Sequence, residues 1–277
     1  MQKKSEPNAV NSNQYLMESE EEATRLDVKT DPLAVRRQAL WCGVKPGMRV
    51  LDAGCGSGKT TAVIREMIQP GGNIIGVDYA GNRITFAKKN YGNENGIEFY
   101  LQDIRNPMDS LGQFDLILVR FVLEYYRVGA LDIVRNLMKY LKPGGHLCLL
   151  DLDYNCSNYY EPPKKIADLL PKLMSLIDEN YNFDTYAGRK LYSHLYDCGF
   201  KRIEMNMEAH HLIYGEAKES DIYNWMKKIE IGSIKADHLF LDYEGGTKEF
   251  AADFEKFFLD PRRFIYTPLL MCKGVRP

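Results

Sequence analysis

The stretch Met48–Gly58, MRVLDAGCGSG, constrains this chain more than any other: an apolar run ends on the acid Asp52 and passes at once into three alternating glycines. Glycine lacks a Cβ and tolerates positive φ, so Gly54, Gly56 and Gly58 predict a strand-to-helix turn whose bare backbone comes against a ligand. A carboxylate at the strand's mouth repels a polyphosphate and favours a ligand with an amine or a cationic centre. Two other glycine loops compete for these residues. The dinucleotide fingerprint G-x-G-x-x-G needs a glycine where Lys59 stands. The phosphate loop G-x-x-x-x-G-K-[ST] is nearer, because Gly58-Lys59-Thr60 match its end and Ala53 replaces its first glycine. A P-loop-like NTPase is therefore the rival from a different class, and Leu147–Asp151 offers it an apolar run ending in an acid for magnesium. Against it stands Asp52, beside the phosphates with no cation to offset it.

Downstream, short apolar runs alternate with helical patterns. Val50–Asp52, Asn73–Asp78, Ile97–Leu101, Phe114–Val119 and His146–Leu150 read as strands, with helices expected over 59–69, 82–90 and 130–141. Pro70-Gly71-Gly72 ends the first helix and Lys142-Pro143-Gly144-Gly145 the last. Apolar strands separated by helices imply a parallel sheet covered on both faces, with its ligand crevice at the carboxyl ends of the strands. Upstream, residues to about Asn13 are polar, Tyr15–Leu26 is an acid-rich helical segment, and Asp31-Pro32 opens a helix that Gly43 and Pro46-Gly47 stop.

After residue 151 the rhythm breaks. Ile203, Met205, Met207 and Ala209 alternate with polar residues as in a strand with one wet face. Ile222, Trp225, Met226 and Ile229 form a helical stripe, as do Phe250, Phe254, Phe257 and Phe258. Phe264–Met271 is expected to return antiparallel at the sheet edge, with Pro268 demoting part of it. Residues near 155–190 and 215–262 read as helical insertions over the crevice.

With 36 basic and 38 acidic residues the net charge is −2, so no global field draws the chain to nucleic acid or an anionic membrane, and a small-molecule partner is expected. Cys42, Cys55, Cys148, Cys156, Cys198 and Cys272 form no C-x-x-C pair, so reduced thiols and no metal site are expected. The start Met1-Gln2-Lys3-Lys4 turns polar without an apolar core, and no run approaches the ~20 residues of a membrane span. These features point to a cytoplasmic protein.

Five motifs in order carry a resemblance: Val50–Gly58, Gly76-Val77-Asp78, Gln102-Asp103-Ile104, Phe114-Asp115-Leu116-Ile117 and Leu141–Gly145. Over residues 45 to 151 the chain resembles the class I S-adenosylmethionine-dependent methyltransferases, of the small-molecule type that modifies quinones and natural products. The resemblance implies an α/β fold, a doubly wound seven-stranded mostly parallel sheet of order 3-2-1-4-5-7-6 with helical cap insertions. It implies a Rossmann-like domain over 31–277 behind an N-terminal arm or lid over 1–30. It also implies S-adenosylmethionine as cofactor, held by Asp52, Gly54, Cys55, Gly56, Gly58, Asp78, Tyr79, Asp103, Ile104 and Arg120. Asp52 would lie near the amino group and Asp78 would accept both ribose hydroxyls, although an acid at 78 equally suits capping the next helix. Asp103 would take the adenine amine, Ile104 pack on the ring, and Arg120 offer backbone to the methionine moiety.

The expected reaction is in-line methyl transfer to a small-molecule acceptor, where placement supplies much of the acceleration. A protein- or RNA-directed methyltransferase is the alternative within the class. The stretch Arg120–Tyr126 stands where enzymes acting on DNA bases carry Asn-Pro-Pro-Tyr, which counts against that substrate. If a general base is needed, Glu124, Asp153 and His194 are the candidates, each with an ordinary structural role as its competitor. Tyrosines 125, 126, 154, 159, 160, 181 and 186 fall in or beside the inserts and suit either a closed aromatic pocket or plain lid packing.

Overall fold

The computed structural model describes residues 21–154, 158–234, 236–240 and 243–277. Cys156 and the expected loose segment before Asn13 lie outside them. Strands β1 (Arg49–Ala53), β2 (Asn73–Asp78), β3 (Ile97–Leu101), β4 (Phe114–Arg120) and β5 (Leu141–Leu152) pair in parallel, in the order β3-β2-β1-β4-β5. Their near-continuous apolar runs follow from burial on both sides. Val50, Ile74, Leu116 and Leu118 enter one core, while Leu51, Ile75, Ile117 and Val119 enter the other, the period of two that a pleated strand imposes.

Helices α2 (Pro32–Cys42), α3 (Lys59–Met67) and α4 (Gly81–Tyr91) cover the first face, and α5 (Ala130–Met138) and α7 (Leu191–Asp197) the second. Asp31 caps α2 as its sequence indicates, accepting from the Leu33 amide at 2.9 Å with Pro32 in the first turn. Gly43 ends the helix in the left-handed conformation. Helices α6 (Lys164–Asn180), α8 (Glu219–Ile234) and α9 (Gly246–Leu259) enclose a third apolar cluster built on Trp225, Phe250, Phe254 and Phe258. The short α1 (Glu22–Lys29) packs against α8 and α4.

Three expectations are corrected. The sheet has eight strands among the described residues, not seven, because the two-residue β6 (Tyr159–Tyr160) pairs with Phe264 and Ile265 beyond the point where β5 stops. The strand β8 (Phe264–Val275) is antiparallel as expected and lies inside the sheet, where the order 3-2-1-4-5-7-6 puts its last strand, so it is the edge placement read from its apolar pattern that fails: β5 pairs along one side and β7 (Lys201–Ile213) along the other. Pro268 is tolerated there because its missing donor falls opposite Ala209, where the β7 register slips by a bulge before His211. Residues 142–145 do not simply follow a helix; they belong to the start of β5 at a register shift, and Gly144 and Gly145 exchange hydrogen bonds with Arg276.

Candidate active site

The carboxyl ends of β1, β2 and β4 open into a cavity of about 1070 Å³, including the space at its mouth. The β1–α3 loop forms its floor. Gly54 has φ 85° and a Cβ built on it would lie 2.5 Å from the Val122 side chain, so nothing larger than glycine fits between β1 and the segment after β4. Gly58, also at φ 85°, would meet Ala87 and Phe99 at 2.8 and 2.9 Å; it packs the loop against β3 and α4 and is not on the cavity wall. Gly56 turns its N–H to Asp78, at 3.0 Å.

Gly54, Cys55, Gly56, Asp78, Tyr79, Asp103, Ile104 and Arg120 all line this cavity. Asp52 does not. It is buried beneath the wall, accepts from the Thr61 hydroxyl at 2.6 Å, and is pushed up to about 6 by burial, against the pull of that hydrogen bond and of Arg120. Asp78 accepts from Gly56 and, through its other oxygen, from Ala80 at 3.0 Å and Arg83 at 3.1 Å. Those bonds occupy about three of a carboxylate's four lone-pair sites, so the acid both steadies the start of α4 and keeps an acceptor position for a ligand. Burial pushes Asp103 up, but the bidentate hydrogen bonds and charge of Arg105 outweigh it and hold the acid below the usual range. The Cys55 thiol is driven far up by burial and by Asp52 and Asp78, which leaves it inert.

Phe121 follows β4 at φ 57°, a strained conformation for a bulky residue, and lines the cavity. The Arg120 guanidinium lies 4.2 Å from its ring centroid and the His210 ring of β7 lies 4.6 Å away. Burial lowers the Arg120 pKa to about 10, although Asp52, Asp31 and Glu208 pull the other way.

A second cavity, of about 790 Å³ including its opening, adjoins the first: Lys29 and Tyr125 belong to the walls of both. Its body is apolar, from Leu170, Leu173 and Met174 of α6 and Trp225 and Ile229 of α8. Arg25, Lys29, Glu124, His210 and Lys228 also line it. Among the proposed bases only Glu124 reaches a cavity. Asp153 is clamped by Arg189 at 2.9 and 2.8 Å, and His194 sits half-buried on α7; neither lines either cavity. Tyr125, Tyr126 and Tyr181 line the first cavity and Tyr159 the second, whereas Tyr154 and Tyr186 stack on each other and Tyr160 is exposed.

Lys29, Phe121 and His210 escaped the reading of the sequence. The one available signal was His210-His211, a polar pair that interrupts the alternation of β7 at its bulge. The phosphate-loop reading loses its cation: Lys59 donates to the Asp27 carbonyl at 2.8 Å and does not line the cavity. Its magnesium acid, Asp151, is buried, raised far above the usual range by burial and Glu124, and accepts from the Glu124 and Leu152 amides.

Residues 44–228, more than half of the chain, match the family model described as a methyltransferase domain. The chain is 25% identical to the ubiquinone/menaquinone biosynthesis C-methyltransferase UbiE of Shewanella sediminis over 210 residues, 66% of this chain and 80% of that one. Two solved structures share the fold. Phosphoethanolamine N-methyltransferase 2 of Haemonchus contortus, bound to S-adenosyl-L-methionine, matches 89% of this chain and 52% of its own at TM-score 0.52 and 15% identity. The [4+2]-cyclase SpnF matches 89% and 80% at TM-score 0.53 and 18% identity. Among the described residues no helix is long and apolar enough to cross a membrane.

Proposed function

This chain belongs to the methyltransferase-domain family, and from that premise we propose that it transfers a methyl group from S-adenosylmethionine to a small-molecule acceptor seated under α6 and α8. The observation that carries the reading is the common wall of the two cavities, Lys29 and Tyr125, which sets an apolar chamber directly beside the glycine-floored one. S-adenosylmethionine brings an activated methyl on a positively charged sulfur, so much of the work left to the protein is placement. The Gly54–Gly56 backbone allows close approach of the methionine and ribose. Asp78 takes a ribose hydroxyl, Asp103 and Ile104 the adenine, and Tyr79, Cys55 and Arg120 complete the wall, with Asp52 and Gly58 supporting it from behind.

In this reading the described residues 21–30 are part of an arm over the cofactor, the rest of the 1–30 segment lying outside the described residues; 31–277 are the catalytic domain, with its cap near 155–190 and 215–262. A chamber lined from the inward faces of two helices suits a small molecule better than a protein or RNA chain. Free thiols at Cys42, Cys55, Cys148, Cys198 and Cys272 fit a reducing, cytoplasmic setting.

The test is a transfer assay with methyl-labelled cofactor against a small-molecule extract, total protein and total RNA. Label confined to the small-molecule fraction supports the reading; label confined to protein or RNA replaces the acceptor class. Calorimetry with S-adenosylhomocysteine and with ATP and magnesium separates transferase from nucleotide enzyme.

A further inference from the structure

We propose that Lys29 takes the proton from the acceptor, and that the acceptor carries a weakly acidic hydroxyl, phenolic or enolic, on an apolar body. This rests on the second cavity being the acceptor site.

Lys29 ends α1 and stands in the wall common to both cavities, where cofactor and acceptor must meet. Its Nζ lies 5.6 Å from the centroid of the Phe121 ring, the same ring on which His210 packs. The surrounding charges come from four elements: Glu22 and Arg25 on α1, Lys228 on α8, Glu124 after β4, and His210 on β7. Arg25 is matched by Glu22 through two hydrogen bonds of 2.7 Å, both side chains being buried, and a third ties it to Asn224 of α8. An amine acceptor would bring its positive charge against Lys228 and against Lys29 in its protonated fraction. A neutral hydroxyl enters without that repulsion, and its conjugate anion is favoured once formed.

Lys29 is better suited to the task than its neighbours. Burial, with Arg25 and Lys228, lowers its pKa to about 7 although Glu22 and Glu124 oppose the shift, so a free amine is present at neutral pH. His210 is held far below its usual range by burial, His211, Arg120, Lys29 and Lys228, and is too weak a base. In the step the hydroxyl proton passes to the Lys29 amine and the O–H electron pair stays on the acceptor. A pair on that oxygen, or on the carbon conjugated with it, bonds to the methyl carbon while the S–CH3 pair remains on sulfur. The ammonium then returns its proton to water. At carbon, a ring proton also leaves to restore the aromatic system, again to water.

The experiment uses the full chain, wild type and Lys29→Met, with Lys29→Gln as a second neutral side chain in case the first melts early. S-adenosylhomocysteine affinity is measured by calorimetry before anything else. The loaded protein is then titrated with 3-nitrophenol, whose absorption reports its ionisation, and with 3-nitrobenzylamine. Wild type is expected to bind the phenol more tightly than the amine and to ionise it as pH rises through about 7, following Lys29. In the variant the phenol still binds, with its ionised fraction at neutral pH reduced about tenfold. Equal ionisation in the variant, tighter binding of the amine, or no binding of the phenol overturns the inference. A variant that loses S-adenosylhomocysteine affinity makes Lys29 a cofactor ligand, and also overturns it. Failure of wild type to bind S-adenosylhomocysteine is the separate result that removes the proposed function itself.

Discussion

Asp52 is a buried acid whose folded-state pKa, about 6, lies above its ordinary value of 3.8. Its protonated form is the one the fold prefers, so the associated stability is complete below pH 3.8 and is lost as pH rises through about 6. Asp52→Asn keeps an acceptor for Thr61 and removes the charge. The ligand-free variant should therefore melt higher than wild type above pH 6, by roughly 1–3 kcal/mol of stability, with the gap closing toward pH 4 in a calorimetric series. Asp78→Asn is expected to weaken S-adenosylhomocysteine binding by about 1.5–3 kcal/mol, since a charge-assisted bond is lost; unchanged heat in a titration removes the ribose assignment. Both acids stand out in the sequence because each ends an apolar strand, Asp52 ahead of the glycine loop and Asp78 after Gly76-Val77; the place of Asp52 behind the cavity wall is set by packing and was not legible there. Lys29, Phe121 and His210 do not stand out. They lie 92 and 89 positions apart in the chain, and only the packing of α1 and β7 around the end of β4 brings them together.

Among the elements, the β1–α3 loop separates two kinds of glycine that look alike in sequence. Gly58→Ala drives a Cβ into Ala87 and Phe99 at a left-handed backbone, and is expected to destabilise the whole fold by about 1–3 kcal/mol in denaturant. Gly56→Ala meets only the Leu26 side chain, at 3.0 Å. It should lose less stability and show its effect as weaker cofactor binding, through displacement of α1. The parallel strands were readable because burial on both faces leaves an unbroken apolar run between turn residues. The interior place of β8 came from the family resemblance and not from the strand's own pattern. Its alternation and Pro268 suit an edge, and the bulge in β7 that accommodates the proline is a property of the partner strand. The helix expected over Tyr15–Leu26 lies within the described residues only from residue 21 on, and there it runs past Leu26 to Lys29. What holds that later end is tertiary and so not legible locally: the Arg25 bond to Asn224 and the Tyr91 bond to Asp27.

For the whole molecule, a ligand that binds only the folded chain raises its stability by mass action. S-adenosylhomocysteine at a hundred times its Kd should add about 2.7 kcal/mol, which for a chain of this size is roughly 5–10 °C in Tm. ATP with magnesium should add none, a thermal-shift result that separates the two glycine-loop chemistries at the level of the intact protein. The cap has its own apolar cluster, so Trp225→Ala should cost about 3–5 kcal/mol there and increase protease nicking in α6 and α8, while calorimetric affinity for S-adenosylhomocysteine falls far less. The sheet imposes an order on assembly. β8 joins β5 to β7 along both of its edges and is the last strand in chain order. Until β8 has been made, the margins of β5 and β7 that it fills stand unpaired and await one insertion. The nascent protein is thus exposed to aggregation between the synthesis of β7 and that of β8, and a chain cut before Phe264 should collect in inclusion bodies.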